Sequence, residues 1–337
     1  MPCECWIFRG RGVFVGTRKG EGRLAVTTVA VNGIRPQRLR LYDERKDGAL
    51  MKKILITGAA GDVGSHLRRE LAGRYELRLS DIRPVRNLAP GEEFVRGDCA
   101  SLQDMLRATK GVAAVVHLGG FSVEGPWEVI LRANIVGTYN VFEAARRNGA
   151  RRLVFATSNH AAGFYRRDET IDHRVYPKPD SRYGVSKVFG EALGSLYADK
   201  YAMEVVCIRI GNLAPRPVDK RRLSIWISPR DLAQLVGIAI DRPDIHFEIV
   251  YGVSGNKRSW YDNSNAERLG YRPQDDSEPR AEEVLKNEKP GADPRTELFQ
   301  GGTFVTAEHG GDPTRVPVKP QSAKKRRRPA KTSRKKK

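Results

Sequence analysis

From Lys53 onward the chain alternates short apolar runs with helix-spaced apolar positions. Lys53–Thr57 is a brief apolar strand that runs into Gly58-Ala-Ala-Gly61-Asp-Val-Gly64. Val63, Leu67 and Leu71 follow at i, i+4 and i+8, the spacing of a helix with one buried face. Further strands are predicted over residues 76–79, 93–96, 112–118, 152–156 and 204–210. Helices are predicted between them, the longest over residues 127–148, with Ile130, Leu131, Ile135, Val141 and Phe142 on its apolar face. Another starts near Tyr183 and runs to about Tyr201. Strand and helix alternating through six strands predict an α/β fold, a Rossmann doubly wound parallel sheet.

Beyond Asn212 the pattern loosens. Ser228-Pro229-Arg230-Asp231 has the form of a capped helix start, and a strand-like run covers residues 246–250. This stretch is expected to be a small C-terminal substrate-capping region. Residues 1–50 show no sustained period, although residues 24–31 are β-prone. The expected organisation is an N-terminal extension over 1–50, a nucleotide-binding domain over 51–212, a capping region over 213–307 and a tail over 308–337. Met51-Lys-Lys-Ile-Leu-Ile-Thr-Gly has the form of a Rossmann start, so the extension is expected to be absent from the native protein.

Charge changes the picture less than its total suggests. The formal charge of +20 invites a nucleic-acid reading. Residues 319–337 carry 11 Lys/Arg and no acid, and residues 1–50 carry a net +5, which leaves +4 for the body. The body therefore has ordinary charge balance. The tail is expected to be disordered, with non-specific polyanion binding or a nuclear-localisation signal as uses its composition suggests. Cys3, Cys5, Cys99 and Cys207 have neither disulfide nor zinc spacing, and Cys99 and Cys207 sit in strand-like contexts. No metal site is expected. This cysteine usage fits a reducing cytoplasm. No apolar run approaches the ~18 residues of a membrane span.

The chemistry gathers at predicted strand ends. A strand, a glycine turn and a helix form the context of a dinucleotide fingerprint. The glycines let backbone approach a pyrophosphate, and the helix N-terminus faces its charge. Asp81 ends the second strand, 23 residues past Gly58. A carboxylate there accepts ribose hydroxyls and repels a 2′-phosphate, which favours NAD. Arg83 and Arg86 lie close enough to hold a phosphate instead. Gly119-Gly120-Phe121-Ser122 and Thr157-Ser158-Asn159-His160 follow the fourth and fifth strands. Asn134 in mid-helix is either a surface residue or a polar bridge under a cofactor.

Tyr183-Gly-Val-Ser-Lys187 places a phenol and an ammonium one helical turn apart. Bringing a phenol from ~10 to about 7 needs roughly 4 kcal/mol. One ammonium at ~4 Å supplies about that much at an effective dielectric near 20. The pair is expected to form a general base, unless the helix merely exposes both side chains.

Thr57-Gly-Ala-Ala-Gly-x-x-Gly64, Ser158 and Tyr183-x-x-x-Lys187 together resemble the extended short-chain dehydrogenase/reductase superfamily. Within it, His117-Leu-Gly-Gly-Phe-Ser-Val-Glu124, Thr157-Ser-Asn-His160, Leu223-Ser-Ile-Trp226, Trp260-Tyr-Asp-Asn263 and Phe299-Gln-Gly-Gly-Thr-Phe304 resemble the uronate dehydrogenases. The resemblance implies NAD-dependent oxidation of D-galacturonate or D-glucuronate at the anomeric carbon to an aldarolactone. It implies Tyr183, Lys187 and Ser158 as catalytic residues. Gly58, Gly61, Asp62, Val63, Gly64, Asp81, Asp98, Leu118, Asn134, Tyr183 and Lys187 would meet the cofactor. Ser122, Ser158, Asn159, His160, Asn212 and Arg221 would meet the sugar. Asn212 departs from the serine of that family. The expected partners are a small uronate and further copies of this chain. A nucleotide-sugar epimerase or dehydratase of the same superfamily is the alternative.

Overall fold

In a computed structural model of the chain, residues 6–9, 13–20, 23–29, 51–288 and 293–307 are described. The predicted tail over 308–337 lies outside them. The chain divides into two units, Met1–Leu50 and Met51–Lys337. The first contains an antiparallel sheet of β1 (Trp6–Arg9), β2 (Val13–Gly20) and β3 (Arg23–Val29).

In the second unit the apolar runs become strands and the spaced positions become helices. Its elements are β4 (Lys53–Thr57), α1 (Asp62–Glu70), β5 (Glu76–Ser80), β6 (Glu92–Phe94), α2 (Leu102–Ala108), β7 (Ala114–His117), α3 (Trp127–Ile130), α4 (Gly137–Arg147), β8 (Arg152–Ser158), α5 (Arg182–Tyr201), β9 (Glu204–Ile210), β10 (Asn212–Leu213), α6 (Arg222–Ile225), β11 (Trp226–Ile227), α7 (Pro229–Asp241) and β12 (Phe247–Gly252). Seven strands form one sheet in the order β12-β9-β8-β7-β4-β5-β6, and every pairing is parallel.

Both faces of the sheet are covered, as an all-parallel sheet requires. On one face Ile54, Ile56, Val116 and Ile208 pack with Leu67 of α1 and Leu232, Leu235 and Val236 of α7. On the other, Leu55, Val115, Leu153 and Val205 pack with Met105, Val141, Phe142, Leu193 and Tyr197. Strand order reverses between β4 and β7, the switch point where such sheets bind ligands.

Three expectations change. The run assigned to the capping region is the seventh strand, β12, paired with β9 from Phe247↔Val205 to Gly252↔Ile210. The sheet therefore does not end at residue 212: α7 and β12 complete it, and only the intervening and later segments cap it. The physical reason is burial, because Val250, Tyr251 and Gly252 pack on the core although the run is too short to show a period. The predicted helix over 127–148 is broken by a wide π-type turn at Leu131–Val136. Cys99 lies in the turn after β6 rather than in a strand, while Cys207 is buried in β9.

Candidate active site

A cavity of about 780 Å³ runs along the carboxyl ends of the strands. Its walls include Gly58, Gly61, Asp62, Val63, Gly64, Asp81, Asp98 and Leu118 at one end. Ser122, Ser158, His160, Tyr183, Lys187, Asn212, Arg221, Arg222 and Phe304 line the rest.

The glycine turn is shaped by contact. Gly58 holds φ +69°, and a Cβ there would lie 2.8 Å from backbone atoms of Leu118 and Gly119. A Cβ on Gly64 would lie 2.5 Å from the Gly58 carbonyl oxygen. The turn delivers the chain to α1, whose N-cap, Gly61, makes no side-chain cap bond. Its first amides therefore stay available to an anion. Asp81 Oδ2 accepts from the Ala60 amide at 3.0 Å and Oδ1 from the Arg83 amide at 2.9 Å, which holds the carboxylate at the cavity wall. Arg83 reaches back to the Ala60 carbonyl at 2.9 Å. Arg132 pairs with Asp98 at 2.5 Å across the far end. An open cradle, a helix N-terminus and a wall carboxylate fit a dinucleotide with a free ribose 2′-hydroxyl.

At the other end α5 starts on Ser181, whose Oγ accepts from the Gly184 amide at 3.0 Å. Buried Glu124 fastens the same turn, accepting from the Tyr183 amide at 3.1 Å and from Arg182 at 2.9 Å. Tyr183 thus stands fixed at the start of its helix. Lys187, one turn on, donates to the Ala156 carbonyl at 2.9 Å. Its Nζ lies 5.4 Å from the centre of the Tyr183 ring.

Burial sets the protonation of both groups. Burial pushes the Tyr183 phenol up to about 12; a hydrogen bond with Ser158 opposes this, and the charge of Asp180 adds to it. Burial brings Lys187 down to about 8, with Glu191 working the other way. The Lys187 ammonium is turned to the Ala156 carbonyl, and burial is the largest influence on the Tyr183 phenol.

Two predicted site residues lie behind the cavity wall. Asn134 sits on the π-type turn, accepts from the Phe121 amide at 2.7 Å and donates to the Phe121 carbonyl and Ser186 Oγ at 2.9 Å each. It braces the Phe121–Ser122 loop against α5. Asn159, 1 % exposed, turns its amide oxygen to Arg221 Nη2 at 2.8 Å and its nitrogen to the Ile210 carbonyl at 3.3 Å. Arg221 also donates from Nε to the Gln300 carbonyl at 2.7 Å. The guanidinium is held from two sides while its Nη1/Nη2 edge keeps unused hydrogens. Asn212 Oδ1 accepts from Arg222 Nε at 3.0 Å.

His117, Phe304, Asp180 and Arg222 were not among the expected site residues. His117 bonds Thr57 at 2.8 Å and Thr138 at 3.3 Å, and burial with the Lys187 charge draws it down to about 3. It locks the ends of β4 and β7 together as a neutral ring. Phe304 stacks on His160 with ring centres 3.8 Å apart. Asp180 bonds His160 Nδ1 at 2.7 Å. Arg222 adds a second guanidinium. An acid just before an N-cap serine was the available signal for Asp180; the others are far apart in sequence.

A parallel doubly wound sheet with a glycine turn, a wall carboxylate and a Ser/Tyr/Lys set defines a Rossmann-type oxidoreductase of the short-chain class. Residues 54–244 match the NAD dependent epimerase/dehydratase family. The chain belongs to that family and, within it, to the uronate dehydrogenases. It is 45 % identical over 257 residues to a uronate dehydrogenase of Pseudomonas putida, covering 76 % of this chain and 96 % of the relative. A solved Agrobacterium tumefaciens uronate dehydrogenase variant complexed with NAD superposes with TM-score 0.73 at 41 % identity, over 77 % of this chain and 98 % of that one. A glucuronic acid dehydrogenase structure from Chromohalobacter salexigens gives TM-score 0.74 at 43 % identity, over 79 % and 100 %.

Proposed function

We propose that this chain is an NAD-dependent dehydrogenase that oxidises a free uronic acid at its anomeric carbon and releases an aldarolactone. The observation that carries the reading is one continuous cavity with the glycine turn at one end and Ser158, Tyr183 and a braced Arg221 at the other. Its relatives' names point the same way.

Gly58, Gly61, Asp62, Val63 and Gly64 would hold the pyrophosphate of NAD, Asp81 the ribose, and Asp98 and Leu118 the adenine side. NAD, when bound, accepts the hydride that leaves the anomeric carbon. Ser158 orients the anomeric hydroxyl. Tyr183 Oη takes its proton as the C1–O bond becomes a carbonyl, so a hemiacetal becomes a lactone. Lys187, one turn along the same helix with its Nζ 5.4 Å from the centre of the Tyr183 ring, steadies the phenolate. Arg221 grips the substrate carboxylate through its Nη1/Nη2 edge, a use that suits a planar fork. Ser122, His160 and Asn212 face the sugar hydroxyls, and Asn159 serves by holding Arg221. Asn212, with its oxygen on Arg222, offers its amide hydrogens where a serine would offer a hydroxyl.

The epimerase alternative needs room for a nucleotide diphosphate. The capping segments beyond the sheet are short, and Phe299–Phe304 closes on the site through Gln300 and Phe304. This favours a small free sugar acid. Among the described residues no helix is long and apolar enough to cross a membrane. The free thiols Cys99 and Cys207 suit a reducing cytoplasm. Trp127, Val136 and Tyr139 on one helical run and Val185 and Leu196 on neighbouring α5 are exposed, and we assign that strip to a second copy of the chain. A spectrophotometric panel of free uronates with NAD and NADP tests the reading: NADH formation on galacturonate or glucuronate supports it, and no net NADH with any free uronate removes it.

A further inference from the structure

Asp180 has no part in the reaction as written, yet three chain segments close around its carboxylate. The side chain is fully buried, with 0 % exposure. Oδ2 lies 2.7 Å from His160 Nδ1, and Oδ1 accepts from Ser181 Oγ at 2.8 Å. The Asp180 amide donates to the His160 carbonyl at 3.3 Å. Two glycines make the space. A Cβ on Gly163 would lie 1.8 Å from Oδ2, and one on Gly301 would lie 2.0 Å from it. The Gly301 amide donates to the Gly163 carbonyl at 2.8 Å, so the two are tied. Three residues beyond Gly301, Phe304 lies flat on the His160 ring. The carboxylate therefore joins the turn after β8, the cap of the Tyr183 helix and the late chain segment.

A carboxylate only accepts, so it requires the hydrogen of a neutral imidazole to sit on Nδ1. The ring's other nitrogen, Nε2, then carries a lone pair. We propose that Asp180 is a positioning residue that fixes His160 as the Nδ1–H tautomer, so that His160 accepts a hydrogen from a hydroxyl of the bound sugar. The inference rests on the uronate reading for the identity of that sugar, but not for the tautomer. A ring free to take the other tautomer would meet the hydroxyl with a hydrogen of its own.

The charges around the ring are consistent with a neutral His160. Burial lowers its pKa, Arg221 lowers it further, and Asp180 acts in the opposite direction. Tyr183, edge-on to His160 at 5.9 Å, is itself faced by Ser158, by Lys187 one turn on and by the Asp180 charge, which raises it.

Two measurements test the assignment. Nitrogen-15 NMR of the His160 ring in the full-length protein without substrate should show a proton on Nδ1 and a bare Nε2; a proton on Nε2 overturns the proposal. This result stands whether or not uronates are the substrate, and whether or not a variant folds. The second compares Asp180→Asn, His160→Ala and the double variant with NAD and galacturonate. Asp180→Asn should raise KM about tenfold, the worth of one charge-assisted hydrogen bond, and change kcat less. It should also move the acid limb of kcat/KM to lower pH, because the charge that raises Tyr183 is gone. The double variant should be no worse than His160→Ala. Losses that add, with the acid limb unmoved, would reduce Asp180 to a packing residue and overturn the proposal.

Discussion

The cofactor end of the cavity draws on Gly58, Gly61, Gly64, Asp81 and Asp98, all within residues 58–98. The sugar end draws on Ser122, Ser158, His160, Asn212, Arg221 and Phe304, from segments that meet only when the sheet is complete. The first is made by backbone: two tight glycine contacts, free amides at a helix start, and a carboxylate held by two amides. The second is made by side chains that hold one another, Asn159 on Arg221, Asp180 on His160, Arg222 on Asn212. A backbone site tolerates change around it but not within it. A side-chain site fails one member at a time. Tyr183 and Lys187 stand at the junction and belong to both.

The largest effect belongs to that junction. Tyr183→Phe removes the proton acceptor and keeps the ring that packs beside His160 and Phe304. Turnover should fall by roughly 10²–10⁴-fold, the worth of general base catalysis. NAD affinity, followed by fluorescence titration, should be unchanged. Turnover comparable with wild type would remove the base assignment.

Gly64→Ala addresses the backbone end. Its Cβ would meet the Gly58 oxygen at 2.5 Å and the Ala59 Cα at 2.7 Å, both backbone atoms that cannot swing away. The turn must open, at about 1–3 kcal/mol. NAD binding should weaken by roughly tenfold or more, while KM for the uronate at saturating NAD changes little. Equal losses at both ends would show that the halves are not separate.

Arg221→Lys is the matching change at the sugar end. The charge stays, but Gln300 and Asn159 lose a planar partner and the carboxylate loses its fork. KM for uronates should rise about tenfold with kcat less affected and NAD affinity unchanged, by steady-state kinetics and titration. An unaltered KM would pass the carboxylate to Arg222, whose guanidinium also lines the cavity.

The same contrast decides what could be read from the sequence. The glycine turn, Asp81 and the strands at Lys53–Thr57 and Glu204–Ile210 were legible because each is local: a strand, its terminal turn and a helix signal themselves within a dozen residues. The Ser158 and Tyr183/Lys187 positions were legible as strand-end and helix-turn features. The π-type turn was not, since Asn134 stabilises it through Phe121 and Ser186, contacts that span 13 and 52 residues. The strand-like run at β12 was legible, but its place beside β9 in the main sheet was not, because that pairing joins residues about 40 positions apart and leaves no local mark. Asp180, Arg222 and Phe304 acquire their roles from partners up to 144 positions away, as in the Phe304–His160 stack.

The smallest shift is in stability, at Lys187, and its sign separates stability from catalysis. Its fall from 10.5 to about 8 is a cost of burying an ammonium, worth about 3 kcal/mol where the group is charged in both states. Lys187→Met removes that cost but leaves the Ala156 carbonyl without its donor, which gives back about 1–2 kcal/mol. The variant should therefore be inactive yet more stable by about 1 kcal/mol near pH 7, a rise in Tm of a few degrees. Between pH 8 and 10.5 the unfolded chain holds this proton and the folded protein does not, so the wild type recovers stability as pH rises. The variant's advantage should be full below pH 8 and gone, or reversed, by pH 10.5. Thermal unfolding of both proteins across that range checks it. A constant Tm difference would mean that Lys187 carries no buried charge, and that the junction between the two halves is held by packing alone.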